Sequence, residues 1–214
     1  MVANMSIERK EQGATRQQIL QLLRRHGQMT ALELSQELNI GAVGVRQHLA
    51  LLERDCLVEV SGVRRSVGRP SHLYTLTSEA ERHFPKQYEK FALEVLDYIA
   101  LQGGEEAVSQ LFCARRQSLA ATYAPRLDGK TRAEKVAELA GILAEQGYMC
   151  EYEQLEDGSF LLTEHNCPID CIARRHPQSC DQELKLYEEL LGVEIERETT
   201  IAAGDLCCRY RIPA

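Results

Sequence analysis

Three cysteines, Cys167, Cys171 and Cys180, fall within 14 residues, and Cys207 and Cys208 follow on a segment able to fold back toward them. Thiolates favour iron–sulfur clusters and zinc. The local spacing is C-x3-C, with C-x12-C from Cys167 to Cys180. It lacks the paired C-x2-C knuckles of structural zinc ribbons, so an iron–sulfur cluster is the stronger expectation and zinc the weaker. A short loop carrying Cys167-Pro168 can hold a cluster near the surface, within reach of oxygen. Cys56 and Cys113 are expected to be packing residues, as buried free cysteines usually are. His165 and His176 flank the site and are expected to be ordinary loop residues.

A second set of residues offers contact with nucleic acid. Val43, Gly44, Arg46 and Gln47 fall on one face of a short helix. Small residues at its tip permit close approach to a groove, while Arg pairs with guanine and Gln with adenine. Downstream, Val63-Arg64-Arg65-Ser66-Val67-Gly68-Arg69-Pro70 reads as a hairpin tip. Arg64, Arg65 and Arg69 would contact phosphate or minor groove there, positioning the protein without reading sequence.

The elements that must position these residues are legible from caps and periodicity. Thr15 with Gln18 has the form of a capping box, followed by the stripe Ile19, Leu20, Leu22 and Leu23 and a stop at Gly27. Thr30 with Glu33 opens a second helix, which ends at Asn39. Ile40-Gly41 turns the chain into a third, from about Ala42 to Arg54, with Val45, Leu49 and Leu52 inward. Strands over 57–60 and 73–77 complete a winged helix-turn-helix. Two amphipathic helices, over 86–102 and 105–124, and a third from Thr131 to Gly147 form the middle. The first of them is expected to be a dimer seam, because a dimer sets two recognition helices on one face of DNA. Beyond Gly147 come strands at 148–153 and 160–163, a helix from Asp181 to Leu191, and strands at 193–200 and 206–212.

The expected fold is therefore α+β. It has a winged helix-turn-helix domain at 1–84, a helical dimerisation region at 85–146 and a small α+β cysteine-containing domain at 147–214. The charge of −7 over 214 residues divides the same way. Residues 1–84 hold 11 Lys and Arg against 9 Asp and Glu, a net of +2, and the rest hold 14 against 23, a net of −9. The chain has no apolar run long enough for a membrane span and no signal-peptide core, so a cytoplasmic location with reduced thiols is expected. It carries no G-x-G-x-x-G or G-x4-G-K-[ST] motif, and an enzyme is not expected.

The segment around Val45-Arg46-Gln47-His48-Leu49, with Gly68-Arg69-Pro70 and Leu73-Tyr74-Thr75-Leu76-Thr77, resembles winged-helix regulators of the ArsR and DeoR type. A closer resemblance rests on Gly147-Tyr148, Glu151, Asp157-Gly158, Glu164-His165-Asn166-Cys167-Pro168, Cys180 and Cys208-Arg209-Tyr210. Over about residues 15–212 the chain looks like the SufR family, winged-helix repressors of iron–sulfur cluster assembly genes. The resemblance implies a homodimer on double-stranded operator DNA, with a [4Fe-4S] cluster in each subunit and repression while the cluster is present. Family members follow C-x12-C-x13-C-x14-C. Cys167 and Cys180 fit the first pair; the third position falls on Glu194, and the last on Arg209, one residue past Cys208. The implied ligands are Cys167, Cys180 and Cys208, with the fourth open between Cys171, Glu194 and Cys207. Two alternatives are a winged-helix repressor with a zinc or thiol–disulfide switch, and an iron–sulfur redox protein with an appended winged helix.

Overall fold

A computed structural model describes residues 2–65 and 70–214, with side chains from residue 13 onward. The chain divides into two compact units, one ending at Lys86 and one running from Gln87 to Ala214.

The first unit opens with α1 (Val2–His26), which carries Ile19, Leu20 and Leu23 into the core. Thr15 lies inside this helix rather than at its start. The helix-forming run Glu8-Arg9-Lys10-Glu11 lets the helix begin earlier than the capping pattern implies. A two-residue strand, β1 (Met29–Thr30), leads into α2 (Ala31–Leu38). The Thr30 capping box is present: the Glu33 N–H donates to Thr30 Oγ1 at 3.2 Å, and the Thr30 N–H donates to Glu33 at 2.8 Å. Asn39 closes α2 in the left-handed region, at φ 53°, which Asn tolerates better than most residues. The chain then re-enters helix as α3 (Ala42–Arg54). Val45, Leu49 and Leu52 are all buried, as their i, i+4, i+7 spacing requires.

Strands β2 (Val58–Arg64) and β3 (Ser71–Leu76) form an antiparallel hairpin, with β1 on the other edge of β3. A 3-10 turn over Ser78–His83 buries Ala80, and Arg24 of α1 pairs with its Glu81. Cys56, expected in the core, is exposed instead. It sits in the tight turn between α3 and β2 at φ 56°, where the chain reverses at the surface.

The second unit begins with α4 (Tyr88–Leu127), two helical segments that meet at Gly104. Gly104 sits at φ 68°, ψ −170°, a conformation open to little but glycine. After α5 (Arg132–Glu145) the chain enters β4 (Cys150–Gln154) and β5 (Phe160–Glu164). Two helices, α6 (Asp170–Arg175) and α7 (Gln178–Leu191), precede β6 (Glu196–Thr199) and β7 (Cys208–Ile212). The antiparallel sheet has the order β4-β5-β7-β6. Tyr123 and Leu127 of α4, Leu139 and Ile142 of α5, Leu186 and Tyr187 of α7, and Leu162 and Tyr210 of the sheet share one core. Of the helices assigned from sequence to a separate region at 85–146, α5 and the end of α4 thus share a core with the C-terminal sheet, while Leu96, Val108 and Phe112 form a smaller cluster of their own.

Replacing Thr30 with Ala removes the side-chain half of the capping box that opens α2, leaving the Glu33 N–H without its acceptor. The expected cost is about 1 kcal/mol of stability in the first unit, measured by denaturant unfolding of wild type and variant.

Candidate metal centre and nucleic-acid interface

The loop that carries Cys167 is fastened to the turn before β4. The Asn166 N–H donates to the Tyr148 carbonyl at 3.0 Å, and the Asn166 side chain donates to the Gly147 carbonyl at 2.7 Å. Gly147 takes φ 90°, and a Cβ there would lie 3.7 Å from Pro168. The Asp170 N–H then turns back onto the Cys167 carbonyl at 3.1 Å, which starts α6. The stretch read from sequence as a plain Cys-Pro loop is therefore half helix, and Cys171 rides on α6.

Cys180 stands in the first turn of α7, and Cys208 opens β7. The Ile201 N–H donates to the Cys208 sulfur at 3.4 Å. Cys167, Cys180 and Cys208 bear on one another electrostatically, and Glu183 bears on all three. Burial pushes the Cys167 thiol up to about 12, helped by Glu183 and the two other cysteines. A thiol at a helix N-terminus usually acidifies. At Cys180 burial and Glu183 outweigh that effect, and its pKa rises. Burial raises Cys208 as well.

The candidates for a fourth ligand are scattered. Burial raises the Cys171 thiol, as does the Glu89 carboxylate of α4 beside it. Cys207 is out of phase with the inward series Cys208, Tyr210 and Ile212, and its carbonyl accepts from the Thr199 hydroxyl. Glu194 is exposed in a groove with Asp157, Ser159 and Arg211, at the sheet end where Phe160 pairs with Ile212. Cys208 pairs with Glu164 at the opposite end, four residues or about 13 Å along the strand.

Around the thiols lies a polar network that the sequence reading missed. Glu164 is fully buried, and its Oε1 accepts from the Tyr187 hydroxyl at 2.7 Å. Its Oε2 is buried without a hydrogen-bond partner. Glu183 accepts from the Tyr148 hydroxyl at 2.7 Å and from the Tyr210 hydroxyl at 3.5 Å. Burial raises both carboxyl pKa values, and the negative charge of Glu183 adds to the rise at Glu164. A signal for Glu183 was present, since it falls at i, i+3, i+4, i+7 with Leu186, Tyr187 and Leu190, on the apolar stripe of α7. His176, expected on a loop surface, is buried between α6 and α7, whereas His165 pairs with Glu151 at 2.8 Å.

The thiols of Cys167, Cys180 and Cys208 are soft donors that bear on one another electrostatically, but they are not gathered into a metal site in this structure. Among the described residues, no group of three or more His, Cys, Asp or Glu side chains lies close enough together to hold a metal ion.

In the first unit, the outward face of α3 carries Val43, Arg46 and Gln47 exposed, with Gly44 partly so. Arg64, at the end of β2, pairs with Glu33 of α2. Arg65 is exposed, while Arg69 lies outside the described residues. Residues 15–68 match the protein family described as HTH domain. This segment is a helix-turn-helix domain. With the β2–β3 hairpin behind it, the segment forms a winged helix-turn-helix.

Three solved structures resemble the chain. A mutant of Lactococcus lactis ZitR in apo form is 17% identical, with 55% of this chain and 91% of that one covered and a TM-score of 0.28. The adhesin competence repressor AdcR of Streptococcus pyogenes is 17% identical, with coverages of 60% and 92% and a TM-score of 0.28. Bacillus subtilis PadR in complex with operator DNA is 14% identical, with coverages of 80% and 97% and a TM-score of 0.29. Likeness at this level decides nothing about function. No curated protein matches the chain significantly. No described helix is long and apolar enough to cross a membrane.

A thiol raised to about 12 is almost wholly protonated at neutral pH, and only the thiolate is alkylated. At pH 8, Cys167 of the metal-free protein is expected to react with iodoacetamide roughly 100-fold or more slowly than an unshifted thiol. Its rate should still be climbing above pH 10. Peptide mass spectrometry over a pH series reads this, and a plateau below pH 9 would contradict it.

Proposed function

We propose that the protein is a homodimeric winged-helix repressor that senses iron–sulfur cluster status and controls cluster-assembly genes. The observation that supports this reading is the mutual electrostatic influence of Cys167, Cys180 and Cys208, in a chain with a helix-turn-helix domain. These three residues would hold the cluster, which the family resemblance makes [4Fe-4S]. When bound, the cluster supplies an oxygen-labile group whose loss changes the charge and packing of this core. The regulated genes and the sign of control rest on the resemblance to the SufR family.

The chain's own residues supply the rest. Asn166 and the turn at Gly147 hold the Cys167 loop against the start of β4. The neutral thiols must release protons to bind metal, so loading and protonation are coupled. On α3, Arg46 and Gln47 would read base edges. Arg65 and Arg69 would grip phosphate, joined by Arg64 if it exchanges Glu33 for DNA. The α4 face with Tyr88, Phe91, Val95 and Tyr98 supports a dimer, because these apolar side chains are exposed at 3-4-3 spacing. A second copy packed there would bury them and set two recognition helices on one duplex.

The first test is anaerobic purification followed by iron and sulfide analysis. Wild type should carry both, and Cys167→Ser should lose them; a full complement in Cys167→Ser would overturn the assignment. Zinc in place of iron and sulfide would favour the zinc switch. Arg46→Ala should cost about 1–3 kcal/mol of discrimination between operator and mismatched DNA. Arg65→Ala should instead weaken binding to all sequences alike and flatten the salt dependence, as titrations at several salt concentrations would show.

A further inference from the structure

We infer that Glu33 sets how strongly the hairpin holds DNA, by keeping Arg64 neutralised until a phosphate takes the place of its carboxylate. This inference rests on the DNA-binding part of the reading above.

The pair joins two elements that a winged helix-turn-helix would bring to one duplex. Arg64 ends β2, opposite Ser71 of β3, at the foot of the hairpin tip. Glu33 lies in the first turn of α2, 31 residues earlier, and the two side chains form an ion pair. Glu33 is held where it stands. Its Oε2 accepts from the Thr30 N–H at 2.8 Å and from the Thr30 hydroxyl at 2.9 Å, which leaves Oε1 for the guanidinium. The Thr30 N–H and Arg64 keep the Glu33 carboxyl below the usual carboxylate range, so it is charged at neutral pH. The capping box that opens α2 therefore also fixes a counter-charge beside the hairpin.

The pair is weak enough to exchange. Its side chains are 47% and 37% exposed. An ion pair so open to water shifts an equilibrium by about fivefold at most. A phosphate that displaces Glu33 gains one contact and breaks another. The phosphate releases its condensed cation, but the bared Glu33 carboxylate takes a cation back. Net counterion release is then close to nil, and Arg64 adds little to affinity or to its salt dependence. Arg65, the next residue, is exposed, and a phosphate contact there carries the full release. Two adjacent arginines thus act differently because one faces a fixed carboxylate. Residues 1–84 carry a net charge of only +2, so one withheld arginine is a large share of the attraction to DNA.

The test titrates the full chain into a short labelled duplex of arbitrary sequence, read by fluorescence anisotropy at several salt concentrations, with the melting of each variant followed in parallel. Glu33→Gln keeps a residue able to complete the capping box but gives up the charge that holds Arg64. It should bind the duplex roughly two- to fivefold more tightly at low salt. The slope of log affinity against log salt should steepen by about 0.9. Glu33→Gln combined with Arg64→Ala should return to the wild-type slope. Arg64→Ala alone should also keep that slope, where Arg65→Ala flattens it. A wild-type slope in Glu33→Gln, or a steepened slope that persists when Arg64 is removed as well, would overturn the inference. If Glu33→Gln does not melt cooperatively, Arg64→Ala decides, and a slope shallower than wild type by about 0.9 overturns it. Wild type that fails to bind the duplex, or binds it without salt dependence, overturns the DNA-binding reading and the inference with it.

Discussion

The antiparallel register of β5 and β7 sets Glu164 opposite Cys208, Leu162 opposite Tyr210 and Phe160 opposite Ile212. Side chains alternate along a strand, so a slip of one residue would turn this whole set to the other face. The apolar pairs Leu162–Tyr210 and Phe160–Ile212 forbid that slip, since all four side chains are buried in the core with α5 and α7. The hydrophobic pattern of two short strands thereby fixes where a thiol and a carboxylate meet. Tyr187 of α7 reaches into the same face to hold Glu164, and its ring meets that of Tyr210 edge-on at 5.3 Å.

Burial then decides the chemistry of the thiols. Partial charge at the start of α7 and the N–H bond to Cys208 each favour thiolate. Desolvation, with Glu183 at all three cysteines and Glu164 at Cys208, opposes them and wins. The metal-free core holds neutral thiols, so any metal must compete with protons. In the proposed sensor, loading would therefore be coupled to proton release.

Much of the first unit was legible from sequence, because its signals are local. The Thr30 capping box, the Asn39 turn and the Val45, Leu49, Leu52 stripe each depend on neighbours a few residues away. Thr15 misled because a capping motif says where a helix can start and not what precedes it. In the second unit the strands and the helix from Asp181 were read, with ends a few residues off. Cys171 was misplaced because α6 is a helix of only six residues, too short for periodicity to show. The buried carboxylates were missed for a different reason. Glu164 meets Cys208 through a pairing with β7 over 40 residues away, which no local pattern encodes. Glu183 did leave a trace as a charge on an apolar stripe.

In the proposed repressor, the state of the cysteine core governs the grip of α3 on DNA. The most direct measurement follows fluorescence anisotropy of a labelled promoter fragment and visible absorbance together, while air is admitted to the anaerobically purified protein. Release of DNA in step with loss of cluster absorbance is the expected result. Binding that stays constant as the absorbance disappears, or a protein without cluster absorbance that binds equally well, would contradict it.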